Sequence, residues 1–133
     1  MEPSRIVAIT DLLPWRAELI EALRSDVYGM SFEAMQDGVQ SGEYIALEID
    51  GQACAVLQLI DTEQGYRTLH TIALGGSGME RWLGEYLDCL QRLGKEQGAK
   101  YLTCLGRPGW KKMLREFGWN HVATAMGCKV GTT

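Results

Sequence analysis

The sequence has 133 residues, 46% of them apolar and 23% charged, with a formal net charge of −4 at pH 7. That composition belongs to a folded globular chain long enough to bury its own core, and it excludes disorder, low complexity and collagen-like repeats. The acidic balance gives no overall attraction to nucleic acid or anionic lipid, so neither is expected as a partner.

No stretch of about 18 apolar residues occurs, and the opening MEPSRIVAITDLL lacks a basic segment followed by a sustained apolar one. Neither a membrane span nor a secretory leader is expected. Cys54, Cys89, Cys104 and Cys128 lie far apart in apolar runs, without a CxxC pair, and read as reduced core thiols. The only histidines, His70 and His121, are isolated, so no metal site is expected.

In chain order, the β-branched RIVAI (5–9) predicts a first strand. Pro14 then marks the start of a helix that places Trp15, Leu19, Ile20 and Leu23 on one face. A short second helix follows, with Ser31 as N-cap, Phe32, Met35 and Val39 as its buried stripe and Gly42 as its stop. After Gly42 the apolar period changes from about 3.6 to about 2. YIALEIDGQACAVLQLID reads as two strands joined at Asp50-Gly51, a favoured hairpin pair, and YRTLHTIAL (66–74) as a third antiparallel strand.

From about Ser77 to Glu96 the spacing of Met79, Trp82, Leu83, Tyr86, Leu87, Leu90 and Leu93 predicts a long amphipathic helix. KYLTCLG (100–106) is a strand. WKKMLREFG (110–118) is a short helix with Trp110, Met113, Leu114 and Phe117 inward, and one or two final strands lie within 119–130. No repeat, linker or charge block interrupts the series, which reads as one domain over 1–133.

Strand, two helices, three-strand meander, long helix, strand, short helix, terminal strand: this order resembles the GNAT (GCN5-related N-acetyltransferase) superfamily over nearly the whole chain. The resemblance implies an α/β (α+β) fold, with a mixed, mostly antiparallel sheet between helices and with strands 66–74 and 100–106 parallel neighbours. Another α+β sandwich with the same meander is the alternative.

In that family the fourth strand ends in a loop, Q/R-x-x-G-x-G/A, whose amides hold the pyrophosphate of acetyl-CoA. The matching segment is Ala73-Leu74-Gly75-Gly76-Ser77-Gly78, with Ala73 in place of Gln or Arg. The resemblance thus implies cofactor binding by Gly75, Gly76, Ser77 and Gly78. A second signature has Asn, a small residue and a general-acid Tyr ahead of a Gly-aromatic pair. Aligned on Gly118-Trp119, it finds Arg107, Trp110 and Leu114, and Leu has no proton to give. The GRPGW turn and the short length are similar to divergent GNAT-like proteins of tailed bacteriophages and prophages.

The glycine-rich junction has two physical readings. Exposed amides at a helix start suit an anion. Alternatively, Ser77-Gly78-Met79-Glu80 forms a capping box that uses those amides and places a carboxylate where phosphate would lie. His70, in mid-strand with a near-neutral pKa, and Glu48, in the hairpin, are candidate general bases, against structural and solvent-facing readings. Arg107, with Lys111, Lys112 and Arg115, could meet the CoA 3′-phosphate or form a solvated helix face.

Two functions follow. One is transfer of an acetyl group from acetyl-CoA to an amine of a small molecule or protein in the cytoplasm of a bacterial host. The other is an inactive GNAT-like scaffold that contacts other phage proteins in a virion, its cofactor groove filled by side chains such as Trp110.

Overall fold

The computed structural model describes residues 5–24, 29–105, 108–122, 128, 130 and 131. The Asp50-Gly51 pair turns the chain as its residue types require. Both have positive φ (53° and 66°), and the Gln52 amide donates to the Ile49 carbonyl at 2.9 Å. This hairpin joins β2 (Tyr44–Ile49) to β3 (Ala53–Asp61) within a five-stranded sheet ordered β1-β2-β3-β4-β5. The other strands are β1 (Ile6–Ile9), β4 (Arg67–Gly76) and β5 (Ala99–Cys104). The first four are antiparallel neighbours, and β5 runs parallel to β4 after a helical crossover, the predicted arrangement.

Helices cover both faces. On one side lie α1 (Arg16–Leu23), entered through a 3-10 turn at Leu13–Trp15 that contains Pro14, and α2 (Phe32–Ser41). The Ser31 hydroxyl caps α2 by accepting from the Ala34 amide at 3.1 Å, and Gly42 ends it at φ 85°. Leu12, Leu19, Phe32, Met35 and Val39 there pack on Ala46, Cys54, Val56 and Ala73 of the sheet. On the other side α3 (Met79–Glu96) buries its predicted stripe of Trp82, Leu83, Tyr86, Leu87 and Leu90 against Leu47, Ile49, Leu57 and Leu69. Leu114 of α4 (Pro108–Arg115) joins that second layer.

One irregularity positions everything that follows. Val56 pairs with Ala73 but Leu57 pairs with Thr71, which leaves Ile72 as an extra residue in β4. Such a bulge reverses the alternation of side chains beyond it. Leu69 therefore packs under α3, whereas Ala73 packs under α1 and α2. The β4–β5 ladder stops at the same place: its last pair is Thr71 with Cys104, and β4 continues to Gly76 paired with β3 only.

Several sequence expectations are corrected. The long helix starts at Met79 and not at Ser77, because Gly78 in the left-handed region (φ 74°) is its N-cap. No strand forms over 119–122, and 123–127 and 129 lie outside the described residues. Met113 and Phe117 are exposed, so the inward face of α4 is Leu114 with half-buried Trp110. Cys128 is exposed, unlike buried Cys54 and half-buried Cys89 and Cys104.

Candidate functional site

Where β5 ends and β4 runs on, the sheet leaves a gap, and a cavity of about 520 Å³ occupies it. Its floor is β4 from Thr71 to Gly76. Because the sheet is interrupted there, residues of both helical layers reach the same space: Glu18 and Glu21 of α1 from one side, Met79, Leu83 and Tyr86 of α3 from the other. Trp110, Leu114 and Trp119 close the end beyond β5.

The glycine segment forms the edge of this cavity nearest the start of α3, and close approach explains three of its glycines. A Cβ on Gly75 would run into the Glu18 carbonyl oxygen, so α1 rests directly on β4 at that point. A Cβ on Gly76, whose φ is 136°, would strike the Gln52 carbonyl and the Ala53 backbone. One on Gly78 would strike the side-chain oxygen of Gln52. The loop is pinned from both ends: the Ser77 amide donates to the Gln52 carbonyl at 3.0 Å, and the Ser77 carbonyl accepts from the Trp82 indole at 2.7 Å.

The capping-box reading of this junction does not hold. Ser77 precedes the N-cap residue, and no side chain caps α3. An eighteen-residue helix thus presents its positive dipole end at the cavity rim without a carboxylate or hydroxyl cap. Nearby, Arg81 in the first turn pairs with Asp50 of the hairpin, and the buried Gln52 Oε1 has no hydrogen-bond partner.

At the other end the side chains carry the polarity. Tyr86 and Thr71, from α3 and β4, share a buried hydrogen bond of 3.1 Å between their hydroxyls. Burial drives the Tyr86 phenol well above its ordinary range, and the Thr71 bond only partly offsets this. The Cys104 thiol is likewise raised by burial. Behind the floor, Cys54 is pushed up to about 12, first by burial and then by the negative fields of Glu48 and Glu18.

No protein-family model matches the sequence, and no curated protein matches it either. Solved structures do. An acetyltransferase of Trypanosoma brucei superposes over 96% of this chain and 99% of its own with a TM-score of 0.69 at 11% identity. An aminoglycoside N-acetyltransferase in complex with CoA gives 0.64 over 96% and 94% of the two chains at 15% identity. A Clostridium acetobutylicum protein described as a predicted acetyltransferase, solved with acetyl-CoA, gives 0.63 over 97% and 96% at 11% identity. The chain has the GNAT fold.

Within the GNAT frame, the expected site residues fall in different places. Gly75 and Gly76 line the cavity, with Ser77 and Gly78 continuing the loop to the helix start. His70 precedes Thr71 and so projects from the opposite face of the sheet, where its Nδ1 lies 2.9 Å from the Thr103 hydroxyl. Glu48 is half-buried beneath the start of α1, where it accepts from the Trp15 indole at 3.2 Å; it does not simply face solvent. Neither His70 nor Glu48 is among the described cavity-lining residues. Arg107 lies outside the described residues, while Lys112 and Arg115 of the same cluster are exposed.

Sequence reasoning passed over Thr71, Tyr86, Glu18, Glu21 and Gln52. Tyr86 sits in a helical stripe indistinguishable from core. Glu18 and Glu21 lie off the apolar face of the first helix, and nothing in the sequence marks the bulge that brings Thr71 and Tyr86 to one space with them.

Proposed function

We propose that this protein transfers an acetyl group from acetyl-CoA to an amine. The observation that carries the reading is the gap beyond Thr71, where an open cavity runs along the edge of β4 that β5 leaves uncovered to the uncapped start of α3. Acetyl-CoA would supply the activated acyl carbon. The loop of Gly75, Gly76, Ser77 and Gly78 and the helix dipole suit its pyrophosphate, since glycines without side chains let an anion approach the backbone closely, while the Ser77 amide stays bonded to the Gln52 carbonyl and holds the loop in place. The cavity's mostly apolar walls suit the arm that follows, and its volume is that of a small-molecule site.

The acceptor reaches the reacting carbon from the α1 side, where Glu18 and Glu21 border the cavity. His70 and Glu48 are the candidate bases to take the amine proton, through water because neither lines the cavity. Arg107 is the candidate partner of the 3′-phosphate. A small molecule or an exposed protein amine would serve as acceptor. The experiment is isothermal titration of the full chain with acetyl-CoA and CoA. Saturable binding of both supports the reading, and no binding at millimolar ligand removes it.

A second reading rests on Ala73 and Leu114, two positions where the GNAT motifs carry polar side chains and this chain does not. On that reading the protein is an inactive GNAT-like scaffold that binds other proteins, in a phage particle on the strength of the sequence resemblance. Trp110 borders the cavity without filling it, which favours the enzyme.

A further inference from the structure

We propose that the paired hydroxyls of Thr71 and Tyr86 hold the departing thiolate by hydrogen bonding, a task that Leu114 cannot perform. The inference rests on the acetyl-transfer reading and assigns one of its steps.

Position supports it first. With pyrophosphate at Gly75 to Gly78, the acyl-bearing sulfur lies at the other end of the segment that β5 leaves uncovered, since Gly75 to Thr71 is roughly 13 Å of strand, the reach of an extended pantetheine arm. Thr71 marks that end: it makes the last pair with β5, and the bulge at Ile72 follows. Both Thr71 and Tyr86 line the cavity, and among its described lining residues they are the only hydroxyl-bearing ones.

Chemistry supports it second. A thiolate expelled into an apolar, partly closed space needs a hydrogen-bond donor and then a proton. Glu18 and Glu21 approach from the α1 side, opposite α3, and so stand on the acceptor's side of the gap. Leu114, in the position where the GNAT signature has tyrosine, is buried in the same cluster as Tyr86 and borders the same cavity. The phenol therefore reaches the space from α3 where α4 brings only a hydrocarbon. Burial holds that phenol protonated through the neutral range, so the donor is present whenever the amine attacks.

In the step itself the amine nitrogen forms a bond to the acyl carbon, and the carbon–sulfur bond breaks with its electron pair going to sulfur. The Thr71 hydroxyl donates a hydrogen bond to the sulfur and accepts one from Tyr86 across the 3.1 Å bond. The amine's proton leaves through its base. The products are the amide and a bound thiolate, which takes a proton from solvent as CoA leaves.

The test needs no acceptor. The full chain, with its Tyr86→Phe and Thr71→Val variants, is titrated with CoA and with desulfo-CoA between about pH 7 and pH 9.5. Hydroxyls that donate to the sulfur favour the bound thiolate, so CoA should gain about fivefold in affinity over desulfo-CoA across that range, the effect there of lowering the bound thiol by one pKa unit. Both variants should lose that gain while binding desulfo-CoA within about twofold of the parent. A purely structural hydroxyl pair would leave the pH dependence unchanged in the variants, and that result overturns the proposal, as does a parent protein with no gain. If neither ligand binds the parent, acetyl transfer itself fails and this step with it. Should Tyr86→Phe not fold, Thr71→Val, nearly equal in shape, decides alone.

Discussion

The two ends of the cavity are built from different materials. At the loop end, Gly75 to Gly78 offer backbone amides and a helix start, held by the Gln52 carbonyl and the Trp82 indole. At the split end, the side chains of Thr71, Tyr86 and Leu114 line the space, with one buried hydroxyl pair. A backbone site needs room and a turn geometry, so it survives wide sequence change if its glycines stay. A side-chain site depends on each residue, and here α4 brings a leucine to the space while α3 brings a phenol.

The strongest way to break the contrast is Gly76→Val. Its φ of 136° and the clash with the Gln52 carbonyl leave a β-branched side chain no room, so a loss of about 3 kcal/mol in urea denaturation is expected. Acetyl-CoA binding should fall by more than about 100-fold in titration. A variant as stable as the parent would show that the loop is not backbone-limited.

Next is Trp82→Phe, which leaves the Ser77 carbonyl without its indole donor. The expected cost is about 2 kcal/mol, from the lost bond and the unfilled volume beneath the loop. Denaturation of the variant at neutral pH measures it.

At high pH the split end and the floor of the sheet should weaken together. Cys54 is raised from 9.0 to about 12 in the folded protein, so its contribution is complete below about pH 9 and declines as pH rises toward 12. Tyr86 acts in the same direction from a higher starting value. Urea midpoints at about pH 8, 9.5 and 11 should fall in that order, and Cys54→Ala should reduce the slope. A flat profile in the parent would contradict the burial of both groups.

The smallest expected effect sharpens the loop end. Ser77→Ala should change stability by less than about 0.5 kcal/mol, whereas a true N-cap serine would cost about 1 kcal/mol. Glu80→Ala should behave in the same way. A cost near 1 kcal/mol for either would restore the capping box.

Local signals were sufficient wherever the chain's neighbours in sequence decide its geometry. Ser31 and Gly42 bracket α2 as their side-chain acceptor and positive φ require, Asp50-Gly51 turns the hairpin, and the stripe from Trp82 to Leu90 is the buried face of α3. The junction at residues 77–80 shows the limit of that logic. Ser-x-x-Glu satisfies the pattern of a capping box, yet the chain places Gly78 at the cap because Ser77 is already committed to Gln52 and Trp82, residues that only folding brings near.

The sequence by itself therefore determined the order of elements, the turn and cap positions that use local bonds, the two hydrophobic faces and the glycines of the loop. Tertiary structure alone decided the bulge at Ile72, the point where β5 leaves β4, and the meeting of Thr71 with Tyr86 across the layer boundary. The physical reason is range. Periodicity and capping are set within a few residues, whereas a register slip is decided by the strand on the other side. A cavity is set by which of several layers fails to cover it.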